Sequence, residues 1–502
     1  MHSQNPGRFP VPRVIVIGAG FGGLSAALLL RASGNDVTLL EQHDWVGGKA
    51  RAVPTTVGLS DAGPTVLTMR HVFDALFAAT GARLEDHVNL IREPLLARHY
   101  WPDGSRLDLF DDRQASALAI RDFAGSKAAR EFERFAQDAE SLFTLFDAPM
   151  MQNPEPSFAD LARHALSAPR HLPTLLTFNK LAQKLAHSFT DPRLRQLFGR
   201  YATYVGGSPL EAPAHLSLIW RAEEAGVWRV DGGMHHLAQV LADRFQAIGG
   251  KLLTGAPVHR LNADASKITG VSLQNGHHLP ADFVVFAGDP RALATEMLGQ
   301  DVSHIAQATR SAPRSYSARV WSFASAAVGP DLRHHNVFFA SDRTSEFRDL
   351  RAGRTPTAPT IYVCAQDRGS GRGRPQGQER FEIILNAPAI KNKTPDPEEV
   401  QTCRQLTFET LHRFGLTFST SPPDSALMTP TGFEHLFPGS MGSLYGQSPH
   451  GMTAALKRPR ARTALAGLYL AGGGTHPGAG VPMAALSGRH AAEAIMQDLV
   501  ST

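Results

Sequence analysis

Short apolar runs, separated by glycine-rich turns and helical stretches, mark the two ends of the chain. Near the N-terminus, residues 14–17 form an apolar run that leads straight into glycines, and residues 37–40 form a second run. Between them, residues 24–33 have a helix-forming composition that ends at Gly34. Uninterrupted apolar runs of this length are typical of buried parallel strands. The pattern therefore predicts a strand–helix–strand unit.

Runs of the same kind recur in two later parts of the chain. Residues 249–261 have a strand–turn–strand pattern, and an apolar strand lies within residues 279–290. Near the C-terminus, a strand over 467–471 and a glycine-rich loop precede a helix over 482–499. These runs predict one α/β domain that is assembled from three separated segments, residues 1–100, 229–310 and 450–502.

The pattern changes between these segments. Residues 101–228 are mostly helical in pattern, whereas residues 311–449 alternate strand patterns with loops rich in proline and glycine. Strands joined by short loops in this way suit a mixed or antiparallel sheet. We therefore predict a helical region and a second sheet, both inserted into the chain of the first domain.

One helical stretch has a basic amphipathic pattern, because no acidic residue occurs between positions 161 and 190. Helical spacing separates an apolar face from a basic face. The apolar face holds Phe178, Leu181, Ala182, Leu185 and Phe189, and the basic face holds Lys180, Lys184 and His187. Such a helix suits the headgroup region of an anionic membrane. It suits equally a surface helix that packs its apolar side on its own domain.

Composition narrows the class of protein. A chain of 502 residues is too long to form a single compact core. Its net charge of +4 and its pI of about 9.1 make it only mildly basic. The two cysteines, Cys364 and Cys403, form neither a disulfide framework nor a metal-binding motif and fit a reducing cytoplasm. Residues 1–12 lack an apolar signal core, and no run reaches the roughly 18 apolar residues of a membrane span. We expect a soluble or peripheral cytoplasmic protein that binds neither nucleic acid nor a metal.

The first strand–helix–strand unit carries a dinucleotide-binding pattern. Gly18, Gly20 and Gly23 have GxGxxG spacing between strand and helix, and Glu41 closes the second strand. In this pattern the first glycine makes the turn, the second admits a pyrophosphate, and the third lets helix and strand pack closely. The helix N-terminus offers N–H groups to phosphate, and Glu41 can accept hydrogen bonds from ribose hydroxyls. We find no second such unit, so we expect no separate nicotinamide domain.

Two glycine-rich stretches extend this prediction. A Gly47–Gly48 doublet precedes Lys49 and Arg51, whose charges suit a pyrophosphate, although a solvated basic turn would have the same composition. Near the C-terminus, five glycines lie within nine positions, 472–480. Glycines in such number let the backbone approach a ligand closely or adopt positive φ.

Four motifs together resemble those of a known enzyme family. They are WVGGKAR at 45–51, DAGPTVLT at 61–68, WRVDGGM at 228–234 and GGGTHPGAGVP at 472–482. The first two are similar to flavoproteins of the amine oxidase superfamily, and the last resembles bacterial carotenoid desaturases of the phytoene desaturase type. Within that family, residues 63–77 and 480–495 resemble the 1-hydroxycarotenoid 3,4-desaturases, also called hydroxyneurosporene or methoxyneurosporene dehydrogenases.

The resemblance implies a Rossmann-like FAD-binding domain, an inserted α+β substrate domain over residues 311–449, and a helical membrane-associating region over residues 101–228. It also implies that the closing glycine-rich segment lies along the flavin and that Val258 contacts the adenine. The predicted cofactor-binding residues are Gly18, Gly20, Gly23, Glu41, Gly48, Lys49, Arg51, Thr65, Val258, Asp289, Gly473, Val481 and Met483.

The resemblance further implies the reaction. A hydride leaves the allylic C4 of a 1-hydroxycarotenoid for flavin N5, and loss of a proton from C3 completes the double bond. His476 and Glu224 are the two candidate proton acceptors. A structural role is also open for each, since His476 could brace the glycine loop and Glu224 could be a solvated helix charge. The resemblance implies that a quinone or dioxygen reoxidises the reduced flavin. It also implies that the protein associates peripherally with the inner membrane.

Three other functions remain open at this point. One is a phytoene or neurosporene desaturase that makes several double bonds, and the second is an amine oxidase-like flavoenzyme with a polar substrate. The third is a non-enzymatic carotenoid-binding or membrane-scaffold protein. Substrates with and without a 1-hydroxyl group separate the first from a 3,4-desaturase, and reduction of a bound flavin by substrate excludes the third.

Overall fold

A computed structural model describes residues 11–167, 180–264, 266–373, 375–390 and 397–501. Its strands, numbered in chain order, are β1 Arg13–Ile17, β2 Asp36–Leu40, β3 Ala52–Thr55, β4 Gly58–Asp61, β5 Leu90–Arg92, β6 Leu95–Tyr100, β7 Arg106–Phe110, β8 Trp228–Val230, β9 Lys251–Leu253, β10 Val258–Ala263, β11 Ile268–Leu273, β12 His278–Pro280, β13 Phe283–Phe286, β14 Ser317–Ser325, β15 Ala327–Val328, β16 His335–Phe338, β17 Ile361–Ala365, β18 Glu379–Ala387, β19 Thr417–Phe418, β20 Leu427–Met428 and β21 Leu468–Leu470.

The α-helices of the described residues are numbered in the same way. They are α1 Phe21–Ala32, α2 His71–Ala78, α3 Arg113–Phe146, α4 Phe158–Ser167, α5 Leu181–Ser188, α6 Pro192–Gly199, α7 Leu218–Glu224, α8 Met234–Ala247, α9 Arg291–Ala294, α10 Ser345–Ala352, α11 Glu399–Arg413, α12 Pro430–Leu436 and α13 Val481–Ser501. Helix α3 is interrupted by a kink at Gly125, where φ is +88°. None of these helices is both long enough and apolar enough to cross a membrane.

A five-stranded parallel sheet forms the first domain, with the strand order β21–β13–β1–β2–β9. The apolar runs of the sequence are these strands, and they come from all three predicted segments. Each interior strand is buried along almost its whole length. This explains why the runs are continuous rather than alternating in polarity, as expected for parallel strands covered on both faces.

Helices α1 and α13 cover one face of this sheet and touch each other at backbone level. A Cβ atom added at Gly488 would lie 2.1 Å from the carbonyl oxygen of Gly22. The contact is therefore possible only with glycine at position 488. Leu24, Leu28 and Ile495 are fully buried in the same core, where each such side chain contributes about 1.5–3 kcal/mol through removal from water.

A seven-stranded sheet forms the second domain, with the order β20–β14–β18–β17–β16–β6–β7. All its pairs are antiparallel except the β16–β6 pair. Four of its strands are the strand patterns that the sequence shows between residues 311 and 387. The mixed sheet predicted there is therefore present.

Two strands of this sheet come from outside the predicted segment. Strands β6 and β7 lie in residues 95–110, which the sequence analysis divided between the cofactor domain and the helical region. Both strands alternate buried and less buried residues and are joined by a turn at Gly104, where φ is +83°. The long helix α3 directly after them dominates the periodicity of that stretch, so the hairpin signal was overlooked.

The helical region has an aromatic core. Phe132, Phe135, Phe198 and Trp220 are fully buried there, and their rings pack at centroid distances between 4.6 and 5.9 Å. Close ring pairs of this kind add roughly 0.5–1.5 kcal/mol each beyond burial. The core joins α3, α6 and α7 into one unit beside the second sheet.

The structure corrects the prediction for the basic amphipathic helix. In α5, Leu181 and Leu185 are buried, and so is Phe189 directly after it, because all three face the aromatic core. Lys184, expected on the opposite face, is also buried, and its Nζ lies 3.0 Å from a carboxylate oxygen of Asp138. Phe178 lies outside the described residues. The sequence shows amphipathicity but does not identify what covers the apolar face, and here the protein itself covers it.

We predict that Lys184→Glu destabilises the fold, because it places two carboxylates together where an ion pair stood. The free energy of unfolding should fall by roughly 2 kcal/mol, less than for a fully buried pair because Asp138 is half-exposed. Lys180→Glu is the matched control, since Lys180 is exposed. Equilibrium unfolding in urea measures both, and equal losses in the two variants would contradict this placement of Lys184.

Candidate functional site

One large cavity, of about 840 Å³, lies between the two sheets and extends into the helical region. The residues that follow β1, β2 and β13 line one end of it, at positions 18–22, 41–43 and 287–289. These positions are the carboxyl ends of parallel strands, where ligands of open α/β sheets bind. The cavity is therefore the candidate site for both a cofactor and a substrate.

The three glycines of the GxGxxG pattern have different surroundings in the structure. Gly18 has a φ of +97° and makes the turn, and a Cβ at Gly23 would lie 1.9 Å from the carbonyl oxygen of Gly18. A Cβ at Gly20, by contrast, would meet only the Cα of Gly48, at 3.9 Å. Gly23 is therefore required by packing, whereas Gly20 borders open space at the N-terminus of α1. That space suits a pyrophosphate.

Glu41 lies at the end of β2 and lines the cavity. Its Oε2 accepts a hydrogen bond from the backbone N–H of Ala19 at 2.7 Å, and its Oε1 accepts one from His43 at 3.0 Å. These bonds fix a buried carboxylate, and each oxygen keeps one lone pair for a further donor. The geometry fits the predicted contact with ribose hydroxyls.

Lys49 also lines the cavity, beside the Gly47–Gly48 doublet. Its Nζ donates to the carbonyl oxygens of Leu444 at 2.6 Å and Ser443 at 3.3 Å. Burial lowers the pKa of Lys49 to about 8, and the negative charge of Asp289 opposes that shift. The negative charge of a ligand beside Lys49 would act in the same direction as Asp289. It would raise this pKa and so keep the ammonium group charged.

Asp289 forms an ion pair with Arg314, and both side chains are almost completely buried. Arg458 interacts electrostatically with both Asp289 and Lys49. Burial lowers the pKa of Arg458 to about 10. Lys49, Arg314 and Arg458 therefore place three cations around Asp289. Such a cluster of cations suits the negative charge of a pyrophosphate.

Arg51 does not join Lys49 in the cavity lining. Its side chain is buried, the charge that acts on it is that of Glu382, and its Nε has no hydrogen-bond partner. The chain enters β3 directly after Arg51 and runs toward strand β14 of the second sheet. This change of direction separates two basic residues that are neighbours in sequence.

The C-terminal glycines serve packing and ligand contact together. A Cβ at Gly22 would lie 2.6 Å from the Cα of Gly472, so the loop rests directly on α1. Gly473, Val481 and Met483 line the cavity as predicted, as do Gly48, Thr65 and Val258. Arg458 donates to the carbonyl oxygen of Gly473 at 2.8 Å and holds the loop in place. This arginine belongs to none of the sequence motifs, so it was not predicted.

His476, one candidate proton acceptor, is buried and lines the cavity. Its Nε2 lies 2.9 Å from the carbonyl oxygen of Asn153, which can only accept, so Nε2 carries the proton. Burial lowers the pKa of His476 to about 4. The imidazole is therefore neutral near pH 7, and its Nδ1 is buried without a hydrogen-bond partner.

Glu224, the other candidate, lies outside the cavity lining. Its two carboxylate oxygens accept from Arg113 Nε at 2.6 Å and Nη2 at 2.7 Å, and Arg221 approaches within 3.2 Å. These bonds make Glu224 part of a structural ion pair, so the structure does not support it as a proton acceptor. The preceding residue, Glu223, does line the cavity and accepts from the hydroxyl of Tyr201 at 2.6 Å.

Sequence reasoning missed several polar residues of the cavity. Arg200 is one of them, and its guanidinium lies 5.2 Å from the ring centroid of Tyr204 and 5.3 Å from that of Tyr362. The hydroxyl of Tyr362 in turn lies 2.7 Å from Thr65 Oγ1. Arg200, Tyr204 and Tyr362 belong to no motif, and Tyr362 lies on β17, far along the chain from the other two, so only the folded structure brings them together.

The remainder of the lining is predominantly apolar. Ala318, Val320 and Ile384 form a floor on the second sheet, and side chains from α3, the turn after it and α7 form the opposite wall. The wall residues are Phe143, Phe146, Met150, Met151, Leu218 and Ile219. A long apolar space beside a charged dinucleotide pocket suits a long apolar substrate.

Comparison with known proteins agrees with this geometry. The family model of flavin containing amine oxidoreductases matches residues 21–496. The chain is 52% identical to a hydroxyneurosporene desaturase of Cereibacter sphaeroides, over 98% of this chain and 99% of that protein. It is 50% identical to a hydroxyneurosporene desaturase of Rhodobacter capsulatus, over 97% and 98% of the two chains. A 4,4'-diapolycopene oxygenase of a Methylomonas species is 31% identical, over 97% and 98%.

Solved structures share the fold. A triple mutant of putrescine oxidase superposes with a TM-score of 0.60 at 16% identity, over 97% of this chain and 99% of that one. Cyclohexylamine oxidase from Brevibacterium oxydans superposes with a TM-score of 0.56 at 17% identity, over 98% and 100%. At these identities the likeness concerns the fold, which is the FAD-binding amine oxidase architecture with mixed α/β content.

We predict opposite consequences for two glycines of the GxGxxG pattern. Gly20→Val should give a folded protein without FAD, because the new side chain fills the space of the pyrophosphate. Gly23→Val should fail to fold, because its Cβ would overlap the carbonyl oxygen of Gly18. Flavin absorbance per protein and circular dichroism measure the two effects. Full flavin content in Gly20→Val would refute the assignment of this space to the cofactor.

Proposed function

The chain belongs to the family of flavin containing amine oxidoreductases, and from this premise we propose that it desaturates an acyclic carotenoid that carries a 1-hydroxyl group. FAD is the oxidant, and the double bond forms between C3 and C4. The observation that carries the proposal is full-length identity of 43–52% to three hydroxyneurosporene desaturases. The putrescine oxidase and the cyclohexylamine oxidase of similar fold are only 16% and 17% identical, which gives no support to a small polar amine as the substrate.

The chemistry divides between cofactor and protein. FAD, which the residues around Gly20, Glu41 and Lys49 would hold, would supply the two-electron oxidant for the C3–C4 bond. The apolar floor and wall of the cavity hold the polyene and exclude water from the reacting carbons. The glycine loop, held by Arg458, fixes one border of that space. The protein thereby provides orientation and a dry environment rather than acid–base activation of the substrate.

The proton from C3 requires an acceptor, and we propose His476 for this role. The support is that His476 lines the cavity, that its imidazole is neutral and that its Nδ1 has no hydrogen-bond partner. A hydride and a proton then leave together as the C3–C4 double bond forms. Glu224 is removed from this role by its bonds to Arg113.

The reduced flavin must be reoxidised by a further compound, which we propose to be a quinone or dioxygen. The support is the single GxGxxG unit of the sequence together with the single five-stranded parallel sheet of the described residues. A nicotinamide-dependent flavoenzyme would commonly carry a second dinucleotide-binding unit.

The water-insoluble substrate requires access from a bilayer, and we propose that α4 provides the contact with the cytoplasmic face of the inner membrane. Phe158, Ala162 and Leu166 follow one another at helical spacing on a single exposed stripe, with Phe158 59% and Leu166 72% exposed. Met150 and Met151, a short turn before this helix, line the cavity. The exposed stripe and the apolar wall are therefore adjacent in the chain, and this helix replaces α5 as the proposed contact.

The proposed reaction is tested with purified enzyme, FAD and liposomes that carry one carotenoid at a time. We expect 1-hydroxyneurosporene to be converted to a product that absorbs at longer wavelength, because one more double bond joins the conjugated system. NAD⁺ should not be consumed. Neurosporene, phytoene and a diamine such as putrescine are the comparison substrates. Faster conversion of phytoene or of the amine would overturn the proposal in favour of a multistep desaturase or an amine oxidase.

The proposed membrane contact is tested with Phe158→Ser combined with Leu166→Ser. Each large apolar side chain contributes about 1.5–3 kcal/mol when buried, so binding to liposomes should weaken at least about tenfold. Leu59→Ser combined with Val328→Ser is the matched control, because these two residues are similarly exposed elsewhere. Co-sedimentation with liposomes measures binding, and flavin content reports the fold. Equal binding by both double variants would contradict a specific role of α4.

A further inference from the structure

Glu382 is a buried carboxyl group without a partner. Its residue is 0% exposed, and neither Oε1 nor Oε2 has a hydrogen-bond partner in the described part of the chain. Buried polar atoms in proteins are almost always hydrogen-bonded. An unsatisfied buried acceptor costs about 1–3 kcal/mol, so this group calls for an explanation.

Neighbouring buried glutamates show that the absence of partners is specific to Glu382. Glu379, on the same strand β18, accepts two hydrogen bonds from Arg368, at 2.6 and 2.7 Å. Glu346 accepts from the side-chain amide of Asn386 at 2.8 Å and from the backbone N–H of Thr360 at 3.1 Å. Within the same domain, the fold thus provides partners for buried carboxyl groups elsewhere.

Glu382 lies on the face of β18 that lines the cavity, and its side chain is fully buried in that floor. Alternate residues of β18, Glu382, Ile384 and Asn386, line the cavity, as the two-residue period of a strand requires. Ile384 lies opposite Val320 of β14, so the middle of this floor is apolar. Asn386 at the other end is already bonded to Glu346. Among the cavity-lining residues of β18, Glu382 is thus the one whose polar atoms have no partner, and on β14 the hydroxyl of Ser317 is likewise unpaired.

The electrostatic surroundings favour the neutral form of the carboxyl group. Burial raises the pKa of Glu382 well above its ordinary value, and the carboxylate of Asp61 adds to that shift. Arg51 opposes it, but no ion pair within 4 Å joins Arg51 to Glu382. Asp61 is itself bonded to the backbone N–H groups of Met234 and His235. A protonated carboxyl group can both donate a hydrogen bond and accept one.

We propose that Glu382 hydrogen-bonds the hydroxyl group of the carotenoid end group and thereby selects substrates that carry it. This inference rests on the proposed function. In a 1-hydroxycarotenoid of the neurosporene type, the hydroxyl is the polar group of a hydrocarbon chain, and it is bonded to C1, three carbons from C4. Anchoring it fixes the position of the C3–C4 bond along the floor of the cavity. Glu382 is thus a specificity-determining and positioning residue.

The physical basis of the selection is the cost of leaving Glu382 unpaired. A hydroxylated end group restores the missing hydrogen bond, whereas neurosporene, which lacks the hydroxyl, leaves it unmade. Sites built to hydrogen-bond a substrate hydroxyl discriminate strongly against analogues without it. A difference of about 1–3 kcal/mol corresponds to roughly a ten- to hundredfold preference in binding.

The test compares wild type, Glu382→Leu and Glu382→Gln with 1-hydroxyneurosporene and neurosporene. Holoenzyme is kept reduced, so that bound carotenoid is not oxidised, and the carotenoid transferred from vesicles to protein is quantified after the vesicles are removed by flotation. We expect the roughly ten- to hundredfold preference of the wild type to fall below about threefold in Glu382→Leu, with tighter binding of neurosporene. Glu382→Gln should keep most of the preference, because the amide still donates and accepts.

Glu346→Gln is the matched control, since it alters a buried glutamate outside the cavity lining and should leave the preference unchanged. Glu382→Leu should melt at the same or a higher temperature than wild type, because it removes an unpaired polar group. If Glu382→Leu does not fold, Glu382→Met takes its place as the apolar variant. An unchanged preference for 1-hydroxyneurosporene in the apolar variant would overturn the inference. So would unchanged carotenoid binding by both Glu382→Gln and Glu382→Leu if flavin reduction by the carotenoid were lost in both. Wild type that desaturates neither carotenoid would instead refute the proposed function.

Discussion

Backbone contact between glycines is the constraint on which the cofactor cavity depends. A Cβ at Gly22 would overlap Gly472, and a Cβ at Gly488 would overlap the carbonyl oxygen of Gly22. Segments from the two ends of the chain therefore meet without intervening side chains. This contact closes the split domain, covers one face of the parallel sheet with α1 and α13, and brings the C-terminal loop to the border of the cavity.

The cavity built on this contact changes in polarity from one end to the other. Lys49, Arg314 and Arg458 lie around Asp289 beside the N-terminal glycines, and their positive charge suits an anionic dinucleotide. Beyond them, the second sheet supplies an apolar floor and the helices an apolar wall. The neutral His476 and the unpaired Glu382 are the polar exceptions to which a role in the reaction or in substrate choice is assigned. One continuous space thus accommodates a charged cofactor and a hydrocarbon substrate.

Local sequence patterns were sufficient to predict the cofactor domain. Most of what was missed depends on contacts between residues that are distant in the sequence. The apolar runs, the GxGxxG spacing and the terminal glycine loop each encode their own geometry, and the structure contains them where they were expected. The assignment of Glu224 was not supported, because its bonds to Arg113 come from a distant helix. The burial of Lys184 depends likewise on the core of α3, and Arg200, Arg458 and Glu382 belong to no motif. A sequence shows which residues could react, but their partners determine which ones are free to do so.

The central claim is that the cavity brings FAD and the end group of the carotenoid together, so that oxidation occurs by direct transfer to the flavin. Rapid mixing of oxidised holoenzyme with 1-hydroxyneurosporene under anaerobic conditions tests it most directly. The account predicts that flavin absorbance is lost at the same rate as the more conjugated product appears, with one flavin reduced for each double bond. Product that forms while the flavin stays oxidised would contradict it.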